Sequence, residues 1–427
     1  DCANTHTELP YIDLVNEVLE YHVAHGALAP QAAHDSGDAT SESLLGEPAN
    51  VIAAAYGKLR EATYPIGLPF DLWTETVRRF ATHAEVAMPT LLDTFRSTDA
   101  LIDATVPYDR VTVFAEQLGL STSELALLTD PDPLASWWEL YGYPDAAGAT
   151  TAATDPDSGQ RLDLNSAKAL SRRLGLTYSE LVELVQTAFV NPGLARQPLL
   201  SKLHLAMSTV RWFLDAANAA FLQANVDLLA ESLTDAQQDR KDATSASDWT
   251  KLTDLAAVAA RVDAYAAAHG LTPGEVRDQL AAIPAGKVLV LADPDTGASF
   301  DQTILRFADG TAADPATFIR LSWFVRLWRT LGWSIAEVDT VLQRFTPVDA
   351  AGELVHSQRP LRTAVTYLAH LVTLAQRLGM SGASRARLLT LWGPLATHGP
   401  DSPYAIAFLK RRGAGIDPVF DHPFADY

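Results

Sequence analysis

One pair of histidines has the spacing of metal ligands. His22 and His25 are three residues apart, so on a helix both imidazoles would lie on one face, where they could bind zinc. No HExxH motif surrounds them, and the sequence places no third ligand beside them. Histidines near a helix end are also favoured by the helix dipole, which stabilises a cation there. We therefore predict surface histidines and no metal site.

Two acidic segments, 155–163 and 293–301, share the form DPD[ST]GxxxD. Alternating carboxylates followed by glycine are typical of the first half of a calcium-binding loop. An EF-hand loop also needs a bidentate glutamate at position 12, where these segments have Ser166 and Ile304. An Asp-Pro turn with glycine in the left-handed conformation explains the same residues. We favour turns, and ion binding by these loops stays open.

Two aromatic groups have residue types that could stack on a ligand. They are Trp137, Trp138, Tyr141 and Tyr143, and Trp323, Phe324, Trp328 and Trp333. Aromatic residues at helical spacing are more often part of a core. We therefore predict that five tryptophans are mainly core residues and not a ligand platform: Trp73, Trp137, Trp323, Trp328 and Trp333.

No recognisable catalytic arrangement is present in the sequence. It contains no GxSxG, P-loop or GxGxxG motif, and no plausible pairing of a nucleophile with a base. The basic run Lys410, Arg411 and Arg412 is predicted to be a solvated helix end. We predict no catalytic, cofactor-binding or metal-binding residues, no cofactor, and a protein that is not an enzyme.

The composition excludes several classes of partner. The chain has 427 residues, 48% of them hydrophobic, which is enough to bury large cores. Its net charge of −20 disfavours nucleic acid and anionic lipid, because phosphate binding needs lysine and arginine. A single cysteine, Cys2, excludes an intrachain disulfide, and no apolar run is long enough to span a membrane. The chain starts without Met or a signal peptide, so we expect a piece of a longer protein.

Helical periodicity dominates the sequence and predicts a mainly all-α fold. Apolar residues recur every three or four positions in three clear stripes. The stripes are Tyr11, Leu14, Val15, Val18, Leu19 and Val23; Leu321, Phe324, Val325, Trp328 and Leu331; and Leu361, Val365, Leu368, Val372, Ala375 and Leu378. Two short apolar runs predict a single small β-hairpin near 287–307.

A stretch poor in large apolar residues, 143–160, is the best candidate for a domain boundary. We expect an N-terminal helical lobe at 1–142, a flexible polar linker at 143–160, and a second helical lobe at 161–427 that contains the hairpin.

A helix-turn-helix pattern recurs without a fixed period. It reads Leu-Gly-apolar-Ser/Thr-x-x-Glu, and it begins at 118, 174 and 331, with a variant at 269 and a degenerate copy at 378. The glycine ends one helix at positive φ, the hydroxyl residue caps the next, and the glutamate completes a capping box. Turns this short fold consecutive helices back on each other, so we predict an irregular assembly of helix hairpins.

Several long motifs resemble the A subunits of bacterial ABC-type (Tc) insecticidal toxin complexes. In order, they are TELPYIDLVNEVLE at 7–20, LPFDLWTETVRRF at 68–80, WWELYG at 137–142, FIRLSWFVRLWRTLGWS at 318–334 and VFDHPF at 419–424. The helical region is also similar to the Salmonella virulence plasmid A protein. The resemblance covers nearly the whole chain.

The resemblance implies a role in toxin delivery. Such A subunits are secreted virulence proteins that form pentamers, in which a mainly helical shell encloses a translocation channel. They bind the toxin B and C components through other regions and recognise a host receptor. The chain would then be a non-catalytic part of that shell. The alternative is an adhesion module that binds a host glycan or protein through its aromatic residues.

Overall fold

The fold is mainly α-helical, as the periodicity predicts. The computed structural model describes residues 11–27, 51–156, 161–194, 199, 203, 205, 207–281, 287–292, 300–349 and 353–392. Within these ranges the chain forms helices joined by short turns and one two-stranded antiparallel sheet. No helix in this described part combines the length and the apolar character that a membrane span needs.

The first half of the described chain is made of short helices. They are α1 Tyr11–His25, α2 Ala53–Glu61, α3 Leu72–His83, α4 Met88–Phe95, α5 Arg110–Gln117, α6 Thr122–Leu128, α7 Ala146–Thr150, α8 Ala167–Leu174 and α9 Tyr178–Val185. A short 3₁₀ helix, Trp137–Tyr141, lies between α6 and α7. Helix α9 begins after the Thr177 cap and ends at Val185.

The second half contains the longest helices and the hairpin. Its elements are α10 Met207–Leu214, α11 Ala216–Asn225, α12 Asp235–Asp242, α13 Ala246–His269, α14 Pro273–Ala281, β1 Leu289–Ala292, β2 Ile304–Phe307, α15 Pro315–Leu331, α16 Ile335–Phe345, α17 Pro360–Arg377 and α18 Ala383–Ala386. Helices α10 and α11 are separated at Asp215, whose carboxylate caps α11 by accepting from the amides of Ala217 and Asn218.

The recurrent turns form as predicted. Gly119, Gly175 and Gly332 have φ of 86°, 63° and 62°, so each ends its helix in the left-handed region. The residues after them close complete capping boxes at Ser121–Glu124, Thr177–Glu180 and Ser334–Glu337. In the degenerate copy, the Ser384 hydroxyl accepts from the Ser381 amide in place of the missing glutamate.

The β-hairpin forms at the predicted place and is held by a buried asparagine. Leu289 pairs with Phe307 and Ala292 with Ile304. The Asn191 side chain accepts from the amide of Leu289 at 3.0 Å and donates to its carbonyl at 2.9 Å. On the other side, the Leu305 amide donates to the Asn165 carbonyl at 2.7 Å, which attaches β2 to the turn before α8.

Within the described ranges, the buried apolar residues form two separate cores. The first joins residues from Ile66 to Val190 with residues from Leu289 to Leu389, and the second contains Leu203 to Leu280. The chain therefore leaves the first core, builds a smaller helical lobe from α10 to α14, and returns to the first core at β1.

The two cores do not divide at the predicted linker. Residues on both sides of 143–160 belong to the first core, and Ala149 within this segment is fully buried in it. Asp145 caps α7 there by accepting from the Gly148 amide at 2.6 Å. Tyr143 and Ala149 of this segment are buried, whereas residues 151–154 are exposed, so the segment is attached to the first core and is only partly solvated.

Candidate assembly surface

Helix α1 contacts the rest of the molecule through its acidic side. Glu20 is buried, and its carboxylate accepts from the Ile52 amide at 2.7 Å and from the Tyr56 hydroxyl. Burial of the phenol and the hydrogen bond to Glu20 raise the pKa of Tyr56 to about 12. Lys58 donates to the Ala24 carbonyl at 2.8 Å and so attaches the end of α1 to α2.

This attachment leaves the apolar side of α1 facing solvent. Tyr11 is 81% exposed, Ile12 61% and Leu19 56%, and Leu14 and Val18 are also exposed. The predicted helix and its stripe are present, but the stripe is not buried. An amphipathic helix that is held by its polar face presents a surface that is costly to leave in water.

Helix α3 is held to the first core by an ion pair. The Asp71 carboxylate caps it by accepting from the amides of Trp73 and Thr74 at 3.0 and 3.1 Å. Arg78 then forms a two-bonded pair with Glu116 of α5, with both N···O distances at 2.6 Å. The hydrogen bond to Glu116 raises the pKa of Arg78, which stays charged.

The opposite side of α3 also presents apolar side chains to solvent. Trp73 is 76% exposed, Val77 46% and Phe80 71%. These positions are four and three residues apart and lie on one helix face. Phe95, at the end of α4, is 75% exposed as well. The prediction that Trp73 is a core residue is therefore wrong, because Arg78 orients α3 by its other face.

A groove of about 230 Å³ lies between α2 and α3. Tyr56 and Gly57 of α2 form part of its wall, and Leu72 and Trp73 of α3 form another part. We call the exposed apolar faces of α1 and α3, together with this groove, the N-terminal apolar surface. Isolated exposed apolar residues are ordinary on a protein surface, whereas aligned stripes with a groove are typical of a contact surface.

The predicted aromatic core residues lie where expected, apart from Trp73. Trp137 is 3% exposed and stacks on Phe318 with ring centroids 5.3 Å apart. Trp323 is 1% exposed, and Trp328 and Trp333 pack partly buried against the first core. The two aromatic motifs therefore meet each other in the core.

The residues considered as metal ligands do not converge. His22 and His25 are both exposed on α1, and the His25 ring lies against Tyr21. Within the described ranges, no three His, Cys, Asp or Glu side chains are grouped closely enough to hold a metal ion.

Large parts of the acidic segments, at 157–160 and 293–299, lie outside the described residues, as does the basic run at 410–412. Of the acidic residues at the segment ends, Asp163 pairs with Arg161 at 2.9 Å and Asp301 pairs with Lys168.

Comparison of the chain with protein-family models, with curated proteins and with solved structures found no match in any of the three.

Proposed function

We propose that this chain is a non-catalytic helical scaffold that assembles with further copies of its parent protein, as part of the shell of a toxin-translocation subunit. The N-terminal apolar surface is the observation that carries the assembly part of the proposal. The ordered motifs that resemble Tc toxin A subunits supply the translocation part, with pentamers, toxin B and C components and a secreted bacterial protein as the corresponding expectations.

The continuity of the first core supports a scaffold role. The first core joins segments that are far apart in the sequence, and capped helices with turns of few residues connect its elements. The exposed stripes are attached to this body by buried polar contacts, through Glu20 on α1 and the Arg78–Glu116 pair on α3. A partner would therefore meet preformed apolar faces, which lowers the entropy cost of association.

The alternative, an adhesion module that binds a host glycan through its aromatic residues, has less support. Trp137 and Trp323, the centres of the two aromatic motifs, are buried and contribute to packing. The exposed rings of Trp73 and Phe80 lie on an apolar helix face, where a protein surface is the better match.

Self-association tests the assembly proposal. We expect sedimentation velocity to show reversible oligomers of the wild-type chain that grow with protein concentration. The double variant Trp73→Ser/Phe80→Ser should remain monomeric at the same concentrations. It should also keep the wild-type circular dichroism spectrum, because both side chains are exposed.

Leu378→Ser is a matched control, since Leu378 is 56% exposed at the end of a different helix. This variant should associate like the wild type. A wild-type chain that stays monomeric at millimolar concentration, or a Trp73→Ser/Phe80→Ser chain that associates unchanged, would contradict the proposed surface.

A further inference from the structure

The second core belongs to a part of the chain that is inserted into the first core at one place. The chain leaves the first core after Gly193 and returns to it at Lys287. We call the part between these two residues the inserted lobe; its described helices are α10 to α14. It spans about 90 residues, which is within the usual size of a domain.

The two ends of the insertion lie against each other. An ideal Cβ on Gly193 would lie 2.8 Å from the Lys287 carbonyl oxygen and 3.3 Å from the Cα of Val288, so the two backbones approach as closely as glycine permits. Two residues before Gly193, the Asn191 side chain binds both the amide and the carbonyl of Leu289. Because exit and return are adjacent, the first core continues directly across the insertion.

Packing between the inserted lobe and the first core is sparse. Helices α10 to α14 have their close packing partners within the lobe, and none of them packs extensively on a described helix or strand of the first core. No ion pair between described residues joins the two parts. Hydrogen bonds from Thr311 lower the pKa of the exposed Asp309 carboxyl, and Arg211 of α10 adds to this effect. Such an exposed charge contact contributes little to stability.

The inserted lobe contains the determinants of its own fold. Leu252, Leu255 and Val262 of α13 are fully buried, in one apolar cluster with Phe213 of α10 and Leu280 of α14. Helices α11, α12 and α13 each begin at a residue whose side chain accepts from a backbone amide of the same helix. Neither the core nor these helix ends use a described residue from outside the lobe.

We infer that the inserted lobe is an autonomous module, which opens and unfolds independently of the first core and is attached to it at Gly193 and Lys287. A region with its own core and few contacts to its surroundings is expected to open as a separate cooperative unit. The lobe can therefore rearrange while the first core keeps the N-terminal apolar surface in place. The inference does not depend on the proposed assembly, and it applies equally to a monomeric chain.

Hydrogen exchange of the full chain, measured on peptides by mass spectrometry, tests this with two matched substitutions. Leu255→Ala in α13 and Leu321→Ala in α15 each truncate a fully buried leucine in one of the two cores. Leu255→Ala should accelerate exchange in α13 at least about tenfold and change exchange in α15 by less than about twofold. Leu321→Ala should give the opposite pattern.

The test remains decisive if either variant unfolds its own part of the chain, because the other part gives the answer. Leu255→Ala that accelerates exchange in α15 as much as in α13 would show a single cooperative unit and overturn the inference. Loss of protection of α13 in Leu321→Ala would overturn it as well. Unchanged exchange in α13 of Leu255→Ala would refute a separate core in the lobe.

Gly193→Ala tests the attachment. The added methyl group must displace the Lys287 carbonyl, so exchange in β1 should accelerate at least about tenfold, whereas exchange in α13 should stay as in the wild type. Gly57→Ala is the matched control, since no atom lies within 4 Å of its ideal Cβ, and it should leave both regions unchanged. Unchanged exchange in β1 of Gly193→Ala would overturn the attachment, and equal acceleration in β1 and α13 would overturn the autonomy of the lobe.

Discussion

Four glycines offer a graded test of the turn geometry, because they differ in what an added methyl group would meet. Gly332 has φ of 62°, and no atom lies within 4 Å of an ideal Cβ there. Gly142 has φ of 70°, and the same Cβ would lie 2.4 Å from the Tyr64 ring. Gly57 lies inside α2, without positive φ and with open space around it.

The expected free energies of unfolding follow from these differences. Gly332→Ala should lose about 1 kcal/mol, the cost of holding an L-residue in the left-handed region. Gly142→Ala bears that cost and must also displace a packed ring, so a loss of about 2–4 kcal/mol is expected. Gly57→Ala should gain up to about 1 kcal/mol, because alanine favours a helix interior over glycine.

Gly175→Ala adds an intermediate case. Its Cβ would lie 3.1 Å from Nη2 of Arg329, which donates to the Gly175 carbonyl at 2.6 Å, so the added methyl must displace this contact and the loss should lie between those of Gly332→Ala and Gly142→Ala. Urea denaturation followed by circular dichroism, with all variants at one temperature, gives the comparison. The reasoning is refuted if Gly57→Ala destabilises as much as Gly332→Ala, or if Gly142→Ala and Gly332→Ala are equally stable.

Three further predictions concern buried polar groups. Glu116→Gln should lower the free energy of unfolding by about 2–3 kcal/mol, because it breaks a largely buried ion pair with Arg78; urea midpoints check this, and an unchanged midpoint would contradict it. Asn191→Ala should lower it by about 2 kcal/mol and accelerate hydrogen exchange in β1, whose backbone loses its partner; unaltered exchange would count against the hairpin's attachment. Burial and the nearby Arg320 lower the pKa of His356, so on acidification the unfolded chain binds a proton at this histidine before the folded chain does. The free energy of unfolding should therefore fall as the pH drops below about 6.5. His356→Asn should reduce that fall, and thermal melts at several pH values will show or refute it.

Local features of the fold could be predicted because their determinants are adjacent in the sequence. A left-handed glycine, a hydroxyl cap and a glutamate three residues later specify a turn with no distant partner, and these turns form at Gly119, Gly175 and Gly332. A further capping box at Thr234–Gln237 was missed because no Leu-Gly pair precedes it. The hairpin was found for a related reason, since its two apolar runs are short and close together.

The candidate surface could not be predicted, because periodicity identifies an apolar face but not what covers it. Helices α1 and α3 both have such a face, and in both a polar residue decides the orientation. Glu20 orients α1 by binding Ile52, and Arg78 orients α3 by binding Glu116. Each partner is more than thirty positions away in the sequence. Sequence patterns place ionic side chains on the solvated face by default. Here they lie on the attached face, so the apolar stripes remain exposed.

Helix α15 also has ionic residues on a buried face, and one of them binds a distant segment of the chain. In α15 every residue from Thr317 to Leu327 is buried, including Arg320 and Arg326, which the sequence would place on a polar face. Burial lowers the pKa of Arg326 to about 10, and its guanidinium donates to the carbonyls of Thr63, Ile66 and Leu68. Those carbonyls would otherwise be difficult to satisfy beneath the helix.

The segment between α2 and α3 is therefore attached to a helix about 260 positions further along the chain by one arginine. The same guanidinium also donates to the hydroxyl of Ser322, which lies four residues before Arg326 in α15, at 3.4 Å. The position of the N-terminal helices, and with them the exposed stripes, is therefore set by buried charged contacts: Arg326 binds the segment between α2 and α3, and the Arg78–Glu116 pair binds α3.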